Sequence, residues 1–334
     1  MSLRPKAIAA AAFLLGGLVL VAPACSSAGA DGNAASGGPG SSSSGGGSSS
    51  GGGSSSSGGG SSSSGGSSGG DGGVPPANAG FPAKWIDGTS CATEPKVQVW
   101  RYDDATYILR QSLCTNFEGP FVYLLLGSTK AILIDTGTGA VDLASEVGKL
   151  VGARDLVVAH SHGHGDHVGG DGQFAGKPKT TVVGASASAV RAFFQIQGDA
   201  AAAYDLGGRV LDVLMIPGHQ AAHVAVYDRA TKLLLTGDTL YPGRLYIDDF
   251  GSYRASVGRL VAFVDAGHPV SWVLGGHVEL TAAGNGADFP LGSKAHPNEH
   301  VLQLTTAELR DLDAVVKPMT TPQRTVRPHF TLSP

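Results

Sequence analysis

From residue 81 onward, short apolar runs alternate with breaks rich in Gly, Pro and Asp. The runs at 107–110 and 121–126 are rich in β-branched and aromatic residues and read as strands. Gly127-Ser128 turns the chain into a buried strand at 131–134, stopped by Asp135-Thr136-Gly137. Residues 141–151 then carry apolar side chains at helical spacing. Further strands are expected at 156–159, 181–183, 210–216, 224–227, 233–236 and 272–274, with Asp228-Arg229 turning a hairpin. Helices are expected at 187–196, 257–264 and 306–316. Strands come first in pairs and then alternate with helices. That order predicts an α/β chain of layered sandwich type rather than a regular doubly wound sheet.

Upstream of residue 81 the pattern changes. Arg4 and Lys6 precede an unbroken apolar stretch at 7–21, and Ala22-Pro23-Ala24 closes it just before Cys25. Residues 1–24 read as an export signal, with an apolar part too short for a spanning helix. A cysteine directly after such a site resembles a bacterial lipoprotein signal, although Ala22 stands where Leu is preferred. The resemblance implies a lipid anchor on Cys25; plain secretion or release into a periplasm is the alternative. Residues 25–80 repeat Gly and Ser with almost nothing to bury. They read as a flexible tether, with a reach of roughly 35–40 Å. Residues 81–334 remain for one domain of about 250 residues, ample for a sizeable core.

Charge narrows the partners. The formal net charge is −4 and no basic cluster occurs. Nucleic acid is therefore not expected, and a small molecule is. Besides Cys25 there are two cysteines, Cys91 and Cys114. A disulfide suits an exported chain, and two separate buried thiols fit the spacing equally well.

The densest chemistry lies in Ser161-His162-Gly163-His164-Gly165-Asp166-His167, directly after the strand at 156–159. Imidazole and carboxylate are the ligands that zinc and related divalent metals take from proteins. Four further candidates follow predicted strands: Asp135, His219, Asp238 and His277. Groups at strand ends converge along one sheet edge, with the strands supplying rigidity. Each alone reads as a cap or turn residue. Together with the loop, His162, His164, Asp166, His167, His219, Asp238 and His277 make a seven-ligand set. His160 reads as structural, and His268 and His329 suggest nothing more. His296-Pro297-Asn298-Glu299-His300 reads as a solvated loop, with closure over the site as the alternative.

These blocks, with Pro217-Gly218-His219, Thr236-Gly237-Asp238-Thr239 and Gly276-His277, resemble the metallo-β-lactamase fold hydrolase superfamily from about Asn116 to Glu279. Asp135-Thr136-Gly137 matches the turn that the family carries after an early strand. The resemblance implies an αββα sandwich with a binuclear centre, two Zn²⁺ ions being expected and Fe or Mn admissible. By carry-over, His162, His164 and His219 would hold one metal. Asp166, His167 and His277 would hold the other, and Asp238 would bridge them. Asp135 would orient a ligand histidine, and His223 lies close enough in sequence to His219 to do the same.

Two metals sharing a water lower its pKa towards neutrality and give a hydroxide nucleophile. Asp166 can orient that nucleophile or pass its proton to a leaving group. Tyr241 stands where a tyrosine of the related N-acyl homoserine lactonases touches the substrate carbonyl; a packed aromatic on a Tyr-Pro-Gly turn is the alternative. The expected reaction is hydrolysis of a small ester, lactone or thioester. A mononuclear iron dioxygenase of persulfide type, a zinc β-lactamase and a catalytically silent metal-bound surface protein are the alternatives. Aspartate rather than cysteine at 238 argues against the commonest zinc β-lactamases, and the full ligand set against the silent protein.

Overall fold

The computed structural model describes residues 80–334. The expected export signal, Cys25 and most of the tether lie outside the described residues. Among those described, no helix is long and apolar enough to cross a membrane.

Two six-stranded sheets carry the domain. The first runs β1 (Val97–Asp103), β2 (Thr106–Gln111), β3 (Phe121–Leu126), β4 (Lys130–Ile134), β5 (Asp155–Ala159), β6 (Thr180–Val182) in spatial as in chain order. Hairpin pairing joins β1 to β4; β4, β5 and β6 are parallel, because α1 (Leu143–Val151) and the loop containing α2 (Gly165–Val168) return the chain each time. After α3 (Ala187–Phe194) the second sheet begins with β7 (Ala202–Asp205), β8 (Val210–Met215), β9 (Val224–Asp228) and β10 (Leu233–Gly237), paired antiparallel in turn. β11 (Arg244–Tyr246) leads into α4 (Phe250–Asp265), after which β12 (Trp272–Gly275) adds parallel to β10 and β13 (Gln303–Leu304) closes the edge. α5 (Thr306–Val316) follows, and β14 (Thr325–Val326) and β15 (Thr331–Ser333) join β11 in a small third sheet.

Side-chain alternation assigns the layers. On β4, Ile132 and Ile134 face the second sheet, where Val213, Met215, Val226 and Leu235 meet them. Ala131 and Leu133 point the other way, under Val147 and Leu150 of α1. On β8, Leu214 turns outward to Val257 and Leu260 of α4 and Leu309 of α5. Three apolar layers thus separate helix, sheet, sheet and helix, as the αββα expectation requires. Truncating one such side chain, Ile132→Ala, removes contacts worth about 2–5 kcal/mol.

α4 starts earlier than its expected 257–264. Asp249 caps it, its side chain accepting from Ser252 N at 3.2 Å, and Gly251 and Ser252 conceal that start in the sequence. Cys91 and Cys114 are joined in a disulfide, with Cα atoms 5.5 Å apart and a separation of 23 positions in sequence. Reducing that bridge, or replacing Cys91 with serine, is expected to cost about 2–4 kcal/mol. Thermal unfolding with and without reductant measures it; an unchanged midpoint would assign the bridge no stabilising part.

Candidate metal centre

β8 and β10 both run antiparallel to β9, and β12 parallels β10, so the three strands end at one edge of the second sheet. His219, Asp238 and His277 follow those ends. β4 and β5 end together in the first sheet, and the chain beyond β5 carries the histidine loop. Asp135, just past β4, adopts the left-handed conformation (φ 72°), which a short polar side chain tolerates best. Its carboxylate accepts from Ser161 N at 2.7 Å and Ser161 Oγ at 2.9 Å, which fastens the start of the loop. At Gly276 a Cβ would stand 2.5 Å from Asp238 Oδ1, so only glycine lets His277 approach.

The seven side chains form two groups. His162 Nε2 lies 3.0 Å from His164 Nδ1 and 3.2 Å from His219 Nε2, and those last two atoms are 3.1 Å apart. In the second group Asp166 Oδ2 lies 3.2 Å from His167 Nε2 and 3.1 Å from His277 Nε2, themselves 3.3 Å apart. Asp238 Oδ2 stands between the groups, 3.5 Å from the Nε2 atoms of His167 and His277, 3.7 Å from His219 and 3.9 Å from His162.

Nitrogen lone pairs this close repel unless a proton or a cation sits among them. Tetrahedral donors at about 2.0–2.1 Å from a zinc-type ion lie about 3.3–3.4 Å from one another, close to the 3.0–3.3 Å within each group. The opposite ring nitrogens are already engaged. His167 Nδ1 donates to Asp135 Oδ2 at 2.9 Å, His219 Nδ1 to the Tyr246 carbonyl at 2.8 Å, and His277 Nδ1 to the Glu118 carbonyl at 2.9 Å. Each acceptor can only accept, so the proton stays on Nδ1 and Nε2 presents its lone pair inward. Asp238 Oδ1 is buried without a hydrogen-bond partner. The donor set fits a pair of divalent cations.

The electrostatics differ between the groups. Burial holds His162 well below the ordinary histidine range and lowers His164, with neighbouring rings adding to both. Burial also opposes charge on His277, but Asp238 and the hydrogen bond to Asp166 outweigh it and push the ring up to about 10. Burial likewise resists ionisation of Asp166, yet its bonds to His167 and His277 hold it well below the carboxylate range. Without a cation, the second group therefore keeps its protons at neutral pH. A raised histidine stabilises the fold fully below its unfolded value of about 6.5 and loses that stability as pH rises through the folded value. Metal-free protein is expected to lose thermal stability between pH 6.5 and about 10. Loaded protein should not, and loading should release protons. Unfolding midpoints across that window check this, and a flat metal-free curve would contradict it.

Among the remaining histidines, His160 bonds Asp171 Oδ1 at 2.8 Å and takes no part in either group, as expected. His223 accepts from Asp238 N at 3.2 Å and bonds Thr239 Oγ1 at 2.7 Å, steadying the turn that carries Asp238. His268 stacks on Phe263, and His329 bonds His300. The segment 296–300 is only in part the expected solvated loop: Pro297 and Asn298 are exposed, but His296 and His300 are buried, 5% and 7% exposed. The cause is Arg110, a fully buried cation at the end of β2, which pairs through both guanidinium nitrogens with Glu299. A buried guanidinium needs a carboxylate, and that pairing draws the segment against the domain. Tyr241 lines the cleft with its ring 5.5 Å from that of His277, while its hydroxyl donates to the Arg244 carbonyl. Sequence reasoning missed Glu118 and Tyr246, whose contribution to the donor groups is a backbone carbonyl and leaves no side-chain signal. It also missed Ser161, visible only as the first residue of the motif.

Comparison of the sequence with known proteins identifies its family. Residues 115–277 match the family described as the metallo-beta-lactamase superfamily. The hydroxyacylglutathione hydrolase of Ruegeria pomeroyi is 31% identical over 196 residues, covering 57% of this chain and 71% of that protein. The hydroxyacylglutathione hydrolase of Chromohalobacter salexigens is 30% identical over 163 residues, covering 46% and 63%. The human acyl-coenzyme A thioesterase MBLAC2 is 29% identical over 210 residues, covering 48% and 74%. The chain spans 50% of the length of two further hydroxyacylglutathione hydrolases, from Synechococcus strains. Among solved structures, the metallo-β-lactamase of Erythrobacter litoralis aligns with a TM-score of 0.48 and 14% identity, covering 68% of this chain and 98% of its own.

Proposed function

Because the chain belongs to the metallo-β-lactamase superfamily, we propose that it is a binuclear metal-dependent hydrolase of a small ester, lactone or thioester. One observation carries the reading: two donor groups at ligand spacing share Asp238 Oδ2 at the floor of an open cleft of about 480 Å³. His162, His164 and His219 would hold one divalent ion; Asp166, His167 and His277 would hold the other, with Asp238 common to both. Such a pair, when bound, would supply a water acidified to near neutral pH and would polarise an acyl oxygen.

The protein's own groups do the rest. The Nδ1 tethers hold the histidine rings in place before any ligand arrives, so no reorganisation is needed at the moment of reaction. Asp166 lines the cleft beside the second donor group, where its carboxylate could take a proton from the nucleophile and return it to a leaving alkoxide or thiolate. The disulfide between Cys91 and Cys114 supports reading the activity as one exerted outside the cytoplasm, where such bonds form and last.

A metal-loaded preparation tested on chromogenic esters, thioesters, lactones and cephalosporins decides the reaction class. Cleavage of phosphodiesters alone would overturn the acyl reading. Within the same assay Tyr241→Phe is expected to change kcat less than about threefold, because its hydroxyl already serves the Arg244 carbonyl. A fall of about 10²–10³-fold with metal retained would instead make the phenol an oxyanion donor.

A further inference from the structure

Large apolar side chains leave water unless something covers them. Five remain exposed among the described residues: Phe117, Tyr246, Leu291, Val301 and Val326. Three of these five, Phe117, Tyr246 and Leu291, line the metal cleft. They come from three separate segments: the β2–β3 loop, the end of β11 and the loop before β13. Leu291 is 72% exposed, the most open of the five. Such a concentration at one mouth marks a surface that an apolar ligand covers.

The carboxylates of the cleft are Asp166 and Asp238, whose charge bound ions would offset, and beyond them Glu118 and Glu279; no lysine or arginine lines it. Glu279 is neutralised by Arg244 at 3.0 Å, whose guanidinium also meets Asp288 at 3.0 Å. The Glu118 carboxylate has no hydrogen-bond or ion-pair partner among the described residues, while its backbone carbonyl holds His277. An unpaired carboxylate lining the cleft repels a second negative charge brought in by substrate.

We propose that the cleft selects acyl substrates without negative charge, with Glu118 rejecting anionic ones and Phe117, Tyr246 and Leu291 gripping an apolar acyl chain. The inference rests on the acyl-hydrolase reading above and narrows it. It sets this chain apart from relatives named for thioesters of glutathione and coenzyme A, whose carriers are anionic.

The test is a matched pair: hexanoyl thioesters of N-acetylcysteamine, uncharged, and of glutathione, anionic, given to the metal-loaded protein. Acyl group and leaving thiolate are alike, so kcat/KM differs through carrier charge and shape. The uncharged substrate is expected to lead by about tenfold or more, a lead that shrinks as salt screens Glu118. Glu118→Gln should narrow the ratio and Glu118→Lys reverse it, with metal content and unfolding midpoint unchanged. If the lysine variant does not fold, the glutamine variant and the salt series carry the test. Lengthening the acyl chain from C4 to C8 should raise kcat/KM in the wild type by about three- to tenfold per two carbons, and less in Leu291→Ser. Equal or greater activity on the glutathione thioester, or a ratio indifferent to Glu118, would overturn the inference and leave the hydrolase reading standing. Silence of the loaded protein on both thioesters and on simple esters would overturn both.

Discussion

Asp238→Ala is expected to lower metal content from close to two ions per chain to one or fewer, and acyl hydrolysis by more than about 10³-fold. Its Oδ2 faces His167, His277, His219 and His162 at 3.5–3.9 Å, so no other single side chain serves both groups. Burial works against the Asp238 charge, yet His277 and His167 hold its carboxyl below the usual range. Removing it leaves the buried rings of both groups without their shared counter-charge, which a cation alone must then supply. Elemental analysis of protein purified without chelator reads the stoichiometry. Wild-type protein holding one iron, with His277→Ala leaving that content unchanged, would sink the binuclear centre and favour a mononuclear iron dioxygenase.

Asp166→Ala separates chemistry from architecture. Loss of a positioned acid–base group typically costs about 10²–10⁴-fold in rate, and loss of a ligand adds to that. Beyond the charge pairing it gives His167 and His277, Asp166 should add little to the unfolding midpoint of metal-free protein, because it sits on the short helix α2 with its side chain 20% exposed and belongs to none of the apolar layers. A midpoint that falls in step with activity would make Asp166 a structural residue.

The layers were legible because burial on two faces leaves a strong imprint. The runs at 121–126 and 131–134 are apolar at every position, since one face meets the opposite sheet and the other meets a helix. β1 escaped: each of its residues is half-buried at the sheet edge, and Gln98, Arg101 and Asp103 interrupt the pattern. β11, β13, β14 and β15 are two or three residues long, shorter than any periodicity. The site was legible for a different reason. Its side chains are titratable, lie in one motif or directly after strands, and need glycine beside them. What remained hidden acts through backbone, as Glu118 and Tyr246 do, or through a distant partner, as Glu299 does for Arg110. Nothing in a linear pattern joins residues 189 apart.

The bridge between Cys91 and Cys114 also bears on how the protein behaves at the bench. Cys114 lies three residues before Phe117 and four before Glu118, whose carbonyl holds His277. Cys91 is solvent-exposed, so a small thiolate can reach the bond and exchange with it. Every thioester turned over liberates such a thiol beside the loop, whereas esters and lactones liberate an alcohol. Progress curves on the two kinds of substrate would then drift differently with time, and dithiothreitol in a storage buffer would change the instrument along with the measurement.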